Sequence, residues 1–209
     1  FERGDLAQAI SKAQAAHHPL WAKQPPHPLL AAIDTWLLSL RGGETESEIY
    51  ARAQRPKAIV LDAQYFIWNG DQVGYLLFEA LWQAAERGVR VRLLLDDANT
   101  SGLDATLAAL DAHPNIEIRL YNPFIQRGSR ALGYLTDFTR LNRRMHNKSF
   151  TADNQLSVIG GRNIANEYFG AGSGIGFADI DVLVVGPAVR DISKEFDLYW
   201  NSASAYPAA

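Results

Sequence analysis

The chain has 209 residues, with 20 Lys and Arg against 23 Asp and Glu, a formal charge of −3, and 47% apolar and 21% charged residues. That balance excludes a disordered or collagen-like chain and leaves ample length for one large domain or two small ones with a real core. Cys is absent, which excludes disulfide frameworks, thiolate zinc sites and cysteine nucleophiles. No apolar run approaches the roughly 18 residues of a membrane-spanning helix, and the first residues lack a charged-then-apolar signal pattern. Phe1 in place of Met predicts a trimmed chain.

Residues 1–43 predict two helices, 6–16 and 29–40, parted by the breaker-rich run that contains His17, His18, Pro19, Pro25, Pro26, His27 and Pro28. Gly42 and Gly43 close the second. The stripe Leu29, Ile33, Trp36, Leu37 and Leu40 has helical spacing and reads as packing. With no further His near them in sequence, the three histidines are not read as a metal site. The segment is set apart as helical, with its role open.

From residue 44 to 209 the pattern becomes α/β. A helix reaches residue 55, and a strand over 58–68 follows, whose Ile59, Val60 and Leu61 fit burial on both faces. A helix over 71–87 carries Val73, Leu76, Leu77, Ala80, Leu81 and Ala84 on one side and is stopped by Gly88. A strand over 89–95 ends at Asp96 and Asp97. Adjacent strand side chains point to opposite faces, so this pair reads as capping or loop residues before metal ligands. A helix over 103–110 and a strand over 116–121 complete a second β-α-β crossover. The expected fold is α/β, a mainly parallel mixed sheet sandwiched between helices.

After Asn122 and Pro123 a long irregular or partly helical connection leads to Arg144, and connections of that length are usually functional. Residues 127–148 hold Arg127, Arg130, Arg140, Arg143, Arg144 and Lys148 against Asp137, a local +5 in a chain whose remainder is −8. An acidic body with one basic strip suits a local anionic group better than a nucleic-acid track.

Residues 145–152 alternate in strand fashion, sending His146, Lys148 and Phe150 to one face, His and Lys roughly 7 Å apart at about 3.3 Å per residue. A phosphate between them could be attacked by the imidazole while the ammonium neutralises an oxygen. Asp153 follows after four residues, and Gly160, Gly161 and Asn163 after six more, opening an expected helix toward Tyr168. This spacing, His-x-Lys-x4-Asp-x6-Gly-Gly-x-Asn, resembles the HKD signature of the phospholipase D superfamily.

The resemblance extends through "LDAQYFIWNGD", "ALWQAAERGVRVRLLLDD", "RLYNPF", "LTDFTRLNRRMHNKSF", "GGRNIANEYFGAG" and "DIDVLVVGPAV" to the N-terminal half of bacterial cardiolipin synthases, most nearly the third bacterial type, over residues 44–199. It implies a phosphatidyltransferase that makes cardiolipin from phosphatidylglycerol and a second phospholipid, with no metal or other cofactor. His146 would be the nucleophile that forms a phosphohistidine, and Lys148 and Asn163 would hold the phosphoryl oxygens. Asp179, with Asp181 in reserve, would orient the imidazole.

Each position also has a plain structural reading. Asn163 is a candidate helix cap, and Asp153 with Asn154 fits a hairpin turn. Gly160 and Gly161 would let backbone approach the phosphate. Arg140, Arg143 and Arg144 are either a solvated helix face or a headgroup site, with Tyr134, Leu135 and Phe138 at acyl chains.

The implied partners are an anionic phospholipid and the membrane surface, with nucleic acid not expected, and the implied place is the cytoplasmic face of the bacterial inner membrane. The alternatives are a phosphodiesterase hydrolysing lipid or nucleic-acid diesters, and a lipid-binding half without turnover. The family's chemistry uses two copies of the motif, and this sequence holds one. The second would come from a missing C-terminal half or a homodimer partner. His113, in a His-Pro pair with no Lys at the right spacing, reads as a turn residue.

Overall fold

The computed structural model describes residues 60–125, 137–171, 174 and 176–208. The expected helices over 6–16, 29–40 and 44–55, the first two residues of the 58–68 strand, and Arg127, Arg130, Tyr134 and Leu135 lie outside the described residues.

Strand β1, Val60–Tyr65, leads to helix α1, Gln72–Glu86. The helix starts where Asp71 accepts the Gly74 N–H at 3.1 Å, an N-cap that satisfies an otherwise orphan donor. It ends before Gly88, whose φ of 87° only glycine adopts readily. Strand β2, Arg90–Asp96, a 3-10 turn, helix α2, Asp104–Asp111, and strand β3, Ile116–Tyr121, follow. Helices α1 and α2 and strands β2 and β3 match the sequence expectation within a residue, whereas β1 ends at Tyr65, three residues before the expected 68. Helix α3, Phe138–Leu141, is a single turn. Strands β4, Ser149–Ala152, and β5, Leu156–Gly160, form a hairpin, and β6, Asp181–Val185, helix α4, Ala188–Trp200, and β7, Ala205–Pro207, complete the order.

The seven described strands make one sheet in the order β6-β5-β4-β1-β2-β3-β7. Only β1-β2 and β2-β3 pair in parallel; the four other neighbouring pairs are antiparallel. The sheet is mixed as expected, but its parallel part is narrower. The reason is local: Asp153 and Asn154, both at φ 53°, turn the chain straight back, so β5 enters by a hairpin and no crossover helix.

Both faces of the central strands are buried. On β2, Leu93 and Leu95 are 1% exposed on one face, and Leu94, fully buried on the other, packs with Met145, Phe196 and Trp200. On that second face Arg92 bonds Asp62 of β1 at 2.7 Å and Asp197 of α4 at 2.8 Å, which fixes α4 across the sheet. Phe196 and Trp200 also stack under its guanidinium. Burial of large side chains such as these stabilises by about 1.5–3 kcal/mol each, so the site rests on a stiff support.

Candidate active site

The carboxyl ends of β1, β2, β3 and β5 and the amino ends of β4 and β6 share one sheet edge. Ligands of open α/β sheets bind at such an edge. The strand expected over 145–152 is shorter than the alternation implies, because it begins only at Ser149. Met145 does not join the ladder. Its N–H bonds the Asp96 carboxylate at 2.8 Å, and its sulfur accepts from Gln64 at 3.0 Å.

His146, exposed, lies against Phe66 with ring centroids 4.6 Å apart. The Lys148 ammonium is 3.3 Å from His146 Nδ1, donates to the His146 carbonyl at 2.7 Å, and stands 5.6 Å from the Phe66 centroid. His and Lys therefore converge as expected, but by folding of the pre-strand segment rather than by strand alternation. Lys148 is buried, and that burial lowers its pKa while the Asp179 charge opposes the shift.

The expected hydrogen bond from the imidazole N–H to Asp179 is not made among the described residues. Asp179 lies two residues before β6, and its carboxylate occupies the space that a Cβ on Gly161 would fill. A side chain on Gly160 would meet Asp181 in the same way. The two glycines thus leave room for these carboxylates. Asp181 pairs with Arg162 at 2.7 Å, and Arg162 also donates to the Tyr168 and Asp179 carbonyls at 2.6 and 3.1 Å. This clamp was not foreseen, because it links residues 17 and 19 positions apart across a turn.

Asn163 does not open a helix; only a 3-10 turn, Asn166–Tyr168, follows. It is 3% exposed, and its Oδ1 accepts the Ile67 N–H at 3.1 Å, which orients Nδ2 toward the Tyr168 hydroxyl at 2.9 Å. One Nδ2 proton is used there, and an amide carries two. Asp153 sits at the opposite end of β4 from Lys148. Its Oδ1 accepts the Val60 N–H at 2.9 Å, and its own N–H bonds the Val60 carbonyl at 2.8 Å.

Among the described arginines of the basic strip, Arg144 and Arg140 are paired with acids of the chain itself. Arg144 is 14% exposed and bonds Asp96, 0% exposed, at 3.0 Å, with further bonds to the Leu141 and Asn122 carbonyls. Arg140 pairs with Asp137 and donates to Asn122 Oδ1 at 2.7 Å. Asn122, at φ 52°, gives its amide protons to the Arg140 and Arg143 carbonyls. Of the three arginines expected at a headgroup, Arg143 is exposed, the Arg140 side chain is 36% exposed, and Arg144 is withdrawn. Asp96 accepts from Ala98, Met145 and Arg144 together, while burial pushes its carboxyl up. Asp96 and Asn122 thus fasten the segment that delivers His146, a role the strand-end position of Asp96 only half signals. No group of three His, Asp or Glu able to hold a metal occurs among the described residues.

The family model described as cardiolipin synthase, PLD-like domain, matches residues 50–200. The chain belongs to this family. It is 59% identical over 147 residues to cardiolipin synthase C of Escherichia coli strain K12, a match covering 70% of this chain and 31% of the relative. It is 30% identical over 145 residues to a cardiolipin synthase of Staphylococcus aureus, covering 66% and 27%. The chain thus spans under a third of the length of these curated relatives. Its fold is similar to that of NucT from Helicobacter pylori, with a TM-score of 0.50 at 14% identity over 77% of this chain and 88% of that one.

Proposed function

We propose that the chain is one half of a phospholipase D-type phosphatidyltransferase that makes cardiolipin from phosphatidylglycerol and a second phospholipid. The observation that carries this reading is the approach of Lys148 to His146 at 3.3 Å in a chain of this family. Nδ1 faces the ammonium, so Nε2 is the nitrogen left to attack phosphorus. Attack requires the ring proton on Nδ1, which then cannot accept from Lys148. A phosphoryl oxygen that draws the ammonium to itself frees Nδ1 to take that proton. The N–P bond forms as the bond from phosphorus to the leaving alcohol breaks. A second His protonates the alcohol, and a phosphatidylglycerol hydroxyl then gives its proton to that neutral His as its oxygen bonds phosphorus and the N–P bond to His146 breaks.

His113 is not that second His. Its ring is held by Glu86 at 3.2 Å and by the Asn115 N–H at 3.1 Å, against Trp82. The second motif belongs to a further half, in the same protein or in a symmetric partner. The working place is the membrane surface, at the cytoplasmic face of the bacterial inner membrane. No helix among the described residues is long and apolar enough to cross a membrane.

The test is a lipid-product mass spectrum from vesicles containing phosphatidylglycerol, with this chain alone over a range of concentrations and with an HKD-bearing second half added. Cardiolipin formed only with the second half, or in step with dimer concentration, supports the reading. Hydrolysis to phosphatidic acid without cardiolipin favours the phosphodiesterase instead.

A further inference from the structure

Gln64, Ser149, Ile159 and Val182 are register partners on the consecutive strands β1, β4, β5 and β6. Register partners point to the same face, so the four form one row across the sheet. Helix α4 lays Ile192, Glu195 and Phe196 beside that row, bounding a groove of about 480 Å³. The floor changes character along its length. It is polar at Gln64 and Ser149, where Lys148 and Gly160 also line the groove, and apolar at Ile159 and Val182. It opens at β6, an edge strand on which Val182 is 53% exposed.

We propose that this groove holds one acyl chain of the phospholipid whose phosphate lies at Lys148. The inference rests on the reading given under Proposed function and adds to it a site for the tail. Phosphate and acyl chain are joined through a three-carbon glycerol, so a phosphate at Lys148 brings its tail within a few bonds. Neighbouring strands are about 4.8 Å apart, which puts Ile159 one strand and Val182 two strands beyond Ser149, a span that glycerol and the first methylenes cover. A polar end leading to an apolar trough is the lining expected for an amphipathic ligand. The Glu195 carboxylate at the rim repels a phosphate, so the groove accepts the tail and not the head.

The test compares monomeric dihexanoyl phosphatidylglycerol with its deacylated headgroup, glycerophosphoglycerol, by NMR titration of Ile and Val methyl groups and the His146 ring. The acylated lipid is expected to bind roughly tenfold tighter, the worth of about two buried methylenes. It should shift Ile159, Val182 and Ile192, whereas the headgroup shifts His146 alone. Val182→Asp should erase the affinity ratio between the two ligands while leaving headgroup binding in place. Equal affinity in the unmodified chain, or methyl shifts at Ile125 or Val185 in place of the groove, overturns the proposal. If His146 still responds to the headgroup in that case, the groove alone fails. If neither ligand moves His146, the phosphatidyltransferase reading fails with it.

Discussion

The Asp96 carboxylate holds the backbone N–H of Met145 at 2.8 Å, and the next residue is His146. A fully buried acid at the end of β2 therefore sets where the candidate nucleophile stands. Asp96→Ala should destabilise the chain by about 3 kcal/mol or more, because it leaves the Arg144 charge and the Met145 N–H without their acceptor. Asp96→Asn keeps an acceptor for Met145 and should cost less. Urea denaturation of the two variants tests the order, and equal costs would show that the Met145 bond is not the one that matters.

His146→Ala should leave the fold intact, because the ring is exposed and touches mainly Phe66. The same change should abolish any phosphorylated adduct on incubation with phosphodiester substrate. Intact-mass spectra together with circular dichroism check both halves. A folded His146→Ala chain that still acquires the adduct would put the nucleophile elsewhere.

Lys148 carries a lowered pKa because burial disfavours its charge. The folded chain then bears a cost at neutral pH that is complete below the lowered value and vanishes above about 10.5, the ordinary lysine value. Lys148→Met should accordingly raise thermal stability near neutral pH, and the gain should shrink as pH climbs toward 10.5. A gain independent of pH would point to packing rather than charge.

Asp179 and Asp181, two residues apart, should behave differently. Asp181→Asn breaks the pair with Arg162 and should lower stability, by about 1 kcal/mol for this partly exposed bridge. Asp179→Asn removes the charge that supports the Lys148 ammonium and should depress the Lys148 pKa further, with a loss of melting temperature at neutral pH that fades as pH climbs toward 10.5. Gly161→Ala, whose methyl would fall on the Asp179 carboxylate, should reproduce the Asp179→Asn titration. Heteronuclear NMR of the Lys148 side chain reads all three.

What could be read in the sequence was local. Strand β3 and helix α1 fall where alternation and helical spacing put them, since both patterns act over a few residues. The convergence of His146 and Lys148 was expected from strand alternation, but the strand begins only at Ser149, and the fold of the preceding segment is what brings the two together. The fate of the arginines was not, because Arg144 finds its acid 48 residues back on β2, and Arg140 finds Asn122 18 residues back. Asp179, which the resemblance sets beside the imidazole, lies two residues before the start of β6. Helix α4 was not among the expected elements, although Val189, Ile192, Phe196 and Tyr199 repeat at helical spacing.

The hairpin of β4 and β5 works as a ruler. The four residues between Lys148 and Asp153 are strand β4 itself, and the pairing of Ser149 with Ile159 returns the chain so that Gly160 comes abreast of Lys148. The motif's intervals are therefore lengths of paired backbone rather than marks of chemistry at each letter. Substitution at Asp153 by another residue that accepts a positive φ keeps the measure, whereas inserting a single residue into either strand reverses which face the following side chains meet. Evolution or engineering at this hairpin is confined at the turn to residues that accept a positive φ, and it is bound in length.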